Sequence, residues 1–300
     1  MILRSLFLTV IALLFSFNGH SGNKTDTLEN SLLWRISGNG LTEPSYLFGT
    51  YHLLKDGFLK EIKGVKKSFK KTDAVVGELE ITPAVAGELM QHMIMTSGTL
   101  DSLLTPAEYD SLDKVVREKM GTGLKLYNKM KPMAIYTTLA ATEMKKSGLG
   151  DKTTGVPMDV YFQDEAKKNK KKVLSLETVK DQADILFNST SVERQKEMLM
   201  EYVRKGKTEG KDDNAQLTEC YKKQRLNCLS AMMTESSYSE KESNHLLNDR
   251  NIRWIPLLAN FMKEQSCFIA VGALHLTGEA GLIKLLRENG YMVEPISIAK

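Results

Sequence analysis

The sequence predicts an α/β protein whose mixed sheet is built from both chain ends around a largely helical middle region. Three observations predict it. Two apolar runs that read as buried strands, Tyr46–Phe48 and Cys267–Val271, lie near opposite ends of the chain. Each runs into a glycine followed three residues later by a histidine, "GTYH" at 49–52 and "GALH" at 272–275. Each also belongs to an alternation of strand-like and helix-like segments, the signature of a layered α/β core. Between them, about 83–148 and 191–262 carry mainly helical periodicity.

The elements follow in order. "SLLWRISGNGLTEPSYLFGTYH" predicts strand, turn, strand, with Asn39-Gly40 as the turn and Pro44 just before the second strand. Phe58, Ile62, Val65 and Phe69 share one face of a predicted helix, and Ala74–Ile81 follows as a strand. That β-α-β unit predicts two parallel, neighbouring strands. Helices are expected from Pro83 to about Gly148, one opening on a capping box formed by Thr105 and Glu108. An amphipathic "MDVYFQDEAKKN" precedes a strand at Lys172–Thr178. Helices resume from about Ser191 to Met262, interrupted by the polar "RKGKTEGKDDNA", and the chain closes as strand, helix, strand with Gly290 ending the helix.

The N-terminus has Arg4, an apolar stretch from Leu6 to Phe17 and small or turn residues from Asn18 to Gly22. That stretch is shorter than the ~20 residues of a membrane span, and it predicts a signal peptide at 1–21 followed by one domain at 22–300. The mature protein is therefore expected to be exported, periplasmic or secreted, with no transmembrane span. Apolar content of 42% and charged content of 26% suit a soluble globular protein. The net charge of +4 is spread out, and short runs such as Lys170–Lys172 form no phosphate-binding stripe, so nucleic acid is not an expected partner. Export permits disulfides. Cys220 and Cys228 can pair only if a helix turns back between them, and Cys267 is expected as a buried free thiol.

Ligands of α/β sheets bind outside the carboxyl ends of the strands, where His52 and His275 both fall. Gly49 and Gly272 lack a Cβ and allow a backbone or substrate to come close before each histidine. Glu78 ends the next apolar run at a comparable height. Two imidazoles and a carboxylate suit a divalent metal with positions left open for water. Two structural histidines at strand ends fit the spacing equally well. Glu80 alternates with Glu78 and is read as a helper acid or a solvated strand end.

The chain resembles the TraB/PrgY/GumN family, which includes the Tiki metalloproteases and is related to erythromycin esterases and haem-associated ChaN proteins. The carrying residues are "YLFGTYHL" (46–53), "DAVVGELE" (73–80), Lys131-Pro132, "GVPMD" (155–159), "LSLETVKDQ" (174–182), Arg250-Asn251 and "FIAVGALHLTGEAGLIKLLRENGYMVEPI" (268–296). The family's hallmark, a pair of GxxH motifs with a glutamate after the first, falls on Gly49/His52, Gly272/His275 and Glu78. The resemblance implies a metal-dependent hydrolase, most plausibly a peptidase acting on a peptide or protein, with Mn, Co or Zn held by His52, Glu78 and His275. The alternative is a haem- or peptide-binding protein using the same cleft.

The resemblance also brings in Arg250 and Asn251. Arg250 is read either as a catalytic group holding a substrate carboxylate or oxyanion, or as a buried salt bridge. Asp159 is a helix N-terminal charge or a residue that reaches the site. Glu177 approaches the cleft or belongs to the helix cap at Thr178. Met90, Met93 and Met95 line an apolar groove or pack as core. His92 and His245 match no motif.

Overall fold

The structure, a computed structural model, describes residues 30–51, 54–146, 155–205, 213–234 and 239–296. The expected leader and His52 lie outside those residues. Among the described residues, no helix is long and apolar enough to cross a membrane.

The six strands are β1 (Leu33–Gly38), β2 (Ser45–Thr50), β3 (Ala74–Gly77), β4 (Lys172–Ser175), β5 (Cys267–Gly272) and β6 (Tyr291–Pro295). They form one mixed sheet in the order β4-β3-β5-β2-β1-β6, so strands from both chain ends build it. β2, β5, β3 and β4 run parallel, while β1 pairs antiparallel with β2 and β6.

One expectation is corrected. β2 and β3 are parallel but not neighbours, because β5 lies between them. The first five residues of β5, Cys267–Val271, are all buried and carry no charge, which suits a strand covered on both faces. Two predicted strands also end early. β3 stops at Gly77, and just beyond Glu78 the Gln163 carboxamide takes over from the sheet, donating to Leu79 O at 2.9 Å and accepting from Ile81 N at 2.8 Å. β4 stops at Ser175, whose hydroxyl accepts from Glu80 N at 2.8 Å.

The helix expected over Phe58–Phe69 is a 3-10 turn at Asp56–Lys60 followed by α1 (Val65–Lys70). Gly64, at φ +90°, breaks it. The predicted apolar face survives, since Phe58, Ile62, Val65 and Phe69 are all buried.

The middle contains α2 (Pro83–His92), α3 (Leu100–Leu103), α4 (Pro106–Met120), α5 (Pro132–Lys146) and α6 (Met158–Lys168). At α4 the capping box forms as predicted, with Thr105 N donating to Glu108 Oε2 at 2.9 Å and Glu108 N to Thr105 Oγ1 at 3.3 Å. Next come α7 (Val179–Ala183), α8 (Val192–Lys205), α9 (Asp213–Lys222), α10 (Leu226–Thr234) and α11 (Glu240–Ser243). A π-helical segment, Asn244–Asn248, joins α11 to α12 (Asp249–Glu264), and α13 (Leu282–Glu288) precedes β6. Gly290, at φ +85°, follows the end of α13.

Two apolar clusters hold the fold. One packs the sheet with α1, α6, α9, α10, α12 and α13. The other lies among the middle helices and begins at Leu79, immediately after Glu78. Met93 and Met95 belong to this second cluster, while Met90 is exposed. Cys220 and Cys228 form a disulfide, and Cys267 is a buried free thiol as expected.

Candidate functional site

The register of the three parallel strands sets the geometry. Gly49 stands beside Val271, Thr50 beside Gly272, and Gly77 beside Ala270. The segments that follow each strand therefore leave the sheet at one edge, the usual ligand-binding edge of such sheets. The first motif touches the second directly. A Cβ on Gly49 would lie 3.0 Å from Ala273 Cα, so glycine there lets the turn Ala273–Leu276 sit against β2.

His275 lies in that turn and is 2% exposed. Its protonation follows from Asn251. The Asn251 amide nitrogen donates to His275 O at 3.1 Å and to Ala280 O at 2.8 Å, which turns Oδ1 toward the imidazole. His275 Nδ1, 2.7 Å from that oxygen, must therefore carry the proton. The lone pair of the neutral ring is left on Nε2. Trp254 packs against the ring, with centroids 4.4 Å apart.

Glu78, 6% exposed, accepts from Gly272 N at 2.9 Å and from Arg250 Nη2 at 2.7 Å. Arg250 is 3% exposed and is the hub of the cluster. It grips Glu177 with two bonds, Nε to Oε1 at 2.7 Å and Nη2 to Oε2 at 2.8 Å. Its Nη1 lies 3.1 Å from His275 Nε2 and donates to Leu246 O, in the π segment, at 3.2 Å. Burial works against the charge on Arg250. The carboxylates of Glu78 and then Glu177 more than offset that, and its pKa is raised above the usual arginine value.

Helix α6 braces both sides of the site. Asp159, buried in its first turn, accepts from Thr50 Oγ1 of the first motif at 2.7 Å. One helical turn later, Gln163 clamps the segment after Glu78. Asp159 stands in the first turn of the helix, as one of its two readings has it, and its side chain reaches Thr50 of the first motif. Glu177 joins the Arg250 cluster, and the helix cap that follows is made by Thr178 with Asp181. Glu80 instead pairs with Lys167 at the surface, at 2.8 Å. Tyr221, on α9, donates to Gly49 O at 2.7 Å, and its ring stacks on Tyr51 at 4.9 Å.

The structure thus gathers Glu78, Arg250, Asn251, Gly272 and His275, joins Asp159 to the first motif, and seats Gly49 against the turn that carries His275. His245 pairs with Asp249 at 3.4 Å on the helix surface, apart from this cluster. Sequence reasoning did not single out Gln163 or Tyr221. A glutamine one turn after Asp159 on an amphipathic helix was the available signal for Gln163; Tyr221 gave none.

The donors suit a divalent cation in kind, a neutral imidazole held by an amide and an anionic carboxylate. His275 Nε2 and Glu78 Oε1 lie 3.8 Å apart. Two ligands each about 2.1 Å from a shared ion span such a gap at a wide angle. Arg250 Nη1 shares the Nε2 lone pair, so an ion there sits beside a guanidinium. His52, the third expected donor, lies outside the described residues. Among the described residues no three His, Cys, Asp or Glu side chains are grouped to hold a metal ion.

The TraB/PrgY/gumN family model matches residues 32–295. The chain belongs to this family. It is 26% identical to Metalloprotease TIKI1 of Danio rerio over 91% of this chain and 65% of that protein. It is 24% identical to Metalloprotease TIKI2 of Danio rerio, over 88% of this chain and 61% of that protein. A Metalloprotease TIKI homolog of Nematostella vectensis is 25% identical, over 88% of this chain and 67% of its own length. The chain therefore spans less than two thirds of the zebrafish relatives. No solved structure matches it.

Proposed function

We propose that this member of the TraB/PrgY/gumN family is an exported, metal-dependent hydrolase that cleaves peptide bonds, with His52, Glu78 and His275 as its metal-centred set. One observation carries the reading: β5 lies beside both β2 and β3, which puts the ends of the two motif strands and Glu78 at one edge of the sheet. The relatives, named as metalloproteases, point to the same chemistry. Export would be compatible with the Cys220–Cys228 disulfide.

A bound Mn, Co or Zn ion would polarise a scissile carbonyl and acidify a water. The chain's own groups do the rest. Asn251 holds the Nδ1 proton of His275, so Nε2 keeps its lone pair. Glu78 presents Oε1, 3.8 Å from His275 Nε2, as the carboxylate ligand beside that ring. The Arg250 guanidinium supplies positive charge beside the site for a developing oxyanion or a substrate carboxylate, while Glu177 fixes it in place. Asp159 and Gly272 orient the motif segments, and Gly49 lets them meet.

The test is elemental analysis of the mature protein purified through export, beside peptidase assays with Mn²⁺, Co²⁺ or Zn²⁺. His52→Ala and His275→Ala are each expected to lose bound metal and turnover together. If both variants keep wild-type metal content and activity, the proposal fails.

A further inference from the structure

Helices α9 and α10 form a hairpin closed by the Cys220–Cys228 disulfide, with Cα atoms 5.8 Å apart. Gln224 makes the turn at φ +54°. The two helices sit on different motifs. From α9, Tyr221 donates to Gly49 O at 2.7 Å and stacks on Tyr51, whose hydroxyl lies 3.3 Å from Thr218 Oγ1. α10 packs against the turn that carries His275, with Leu226 and Leu229 in the same apolar cluster as Ala273 and Leu276. The disulfide therefore links a helix seated on the first GxxH segment to a helix seated on the second.

We propose that this hairpin is a clasp that fixes the spacing of the two GxxH segments, that Tyr221 is its positioning residue, and that a thiol reductant opens it. The catalytic consequence rests on the hydrolase reading above; the mechanical one does not. Tyr221 is fully buried, and burial, then the charge of Asp159, pushes its phenol well above the usual range, so the hydroxyl remains a donor to Gly49 O. Opening consumes one dithiol. Two electrons and two protons pass to the Cys220 and Cys228 sulfurs, their bond breaks to two thiols, and the reductant closes to its own disulfide.

Hydrogen exchange followed by mass spectrometry, on the mature protein before and after dithiothreitol, tests the clasp without needing activity. Alkylation should mark Cys220 and Cys228 only, because Cys267 is buried with its thiol pushed up to about 12. Reduction is expected to speed exchange about tenfold in both 46–51 and 270–277, with helix content unchanged. Acceleration confined to 213–234, or none at all, overturns the proposal. Should reduction unfold the chain, Tyr221→Phe decides, since it keeps the disulfide and the stacked ring but removes the bond to Gly49 O. Faster exchange at 46–51 is then expected, and unchanged exchange refutes the clasp. With hydrolysis in hand, Tyr221→Phe should lower kcat about tenfold at unchanged KM, with a Tm loss of only a few degrees from the one buried hydrogen bond removed. If no hydrolysis is found, the exchange result still stands and only the hydrolase reading falls.

Discussion

Replacing Arg250 with methionine tests whether the guanidinium is what holds the cluster together. Arg250, Glu78 and Glu177 are all buried, and the guanidinium supplies three bonds to the two carboxylates at 2.7–2.8 Å. Removing one partner of a buried ion pair typically costs about 3–5 kcal/mol, because the other charge is left uncompensated. Here two carboxylates are stranded. Each keeps at least one donor, Gly272 N for Glu78 at 2.9 Å and Trp254 Nε1 for Glu177 at 3.2 Å. The expected loss is therefore about 4 kcal/mol, or roughly 8–16 °C in Tm for a chain of this size. Arg250→Lys keeps the charge but not the fork that meets both carboxylates, and should lose roughly half as much. Urea titration of wild type, Arg250→Met, Glu177→Gln and the double variant gives the coupling directly, expected near 2 kcal/mol. An Arg250→Met protein within about 1 kcal/mol of wild type, or a coupling of zero, would refute this account.

Three further outcomes follow from local geometry. Gly49→Ala should destabilise by about 1–3 kcal/mol in chemical denaturation, because the new methyl would stand 3.0 Å from Ala273 Cα, a backbone atom with little room to yield. Thr105→Ala removes one half of the α4 capping box and should cost about 1 kcal/mol by the same measurement. Cys267 predicts an alkaline limit. Its folded pKa is raised from 9.0 to about 12, so the unfolded chain loses that proton first as pH rises. Stability tied to this thiol is complete below pH 9.0 and falls between 9.0 and about 12, a loss that Cys267→Ala should remove from a pH series of melting curves.

Elements governed by local periodicity were legible in the sequence. The strands at both ends, the buried face of Phe58, Ile62, Val65 and Phe69, and the Thr105–Glu108 cap all depend on neighbours a few residues away. The misplacement of β3 beside β2 has a different origin. An apolar run shows that a strand is buried but does not name the strand beside it, and β5 arrives from the far end of the chain. The same limit applies inside the site. Glu78, Arg250 and Asn251 could be singled out by motif, yet Glu177 finds Arg250 across 73 positions of sequence, and Tyr221 finds Gly49 across 172. Whether Glu177 capped a helix or joined the cluster could not be read from its neighbours, because its backbone position allows both.

The placement of β5 also ties the site to the stability of the sheet. Gly272, at the end of β5, gives its amide to Glu78 beyond β3, and the turn after it fills the space left by Gly49 on β2. Asn251 and Arg250 on α12 then fix the His275 ring from outside the sheet. Each half of the cluster is thus oriented by atoms from the other, and neither GxxH segment has its complete set of contacts until β5 has inserted between β3 and β2. Substitutions at Gly49, Arg250 or Asn251 should therefore move folding stability and site geometry together. By contrast Tyr221→Phe keeps the ring in the core and removes one hydroxyl from the motif, so it can separate the two.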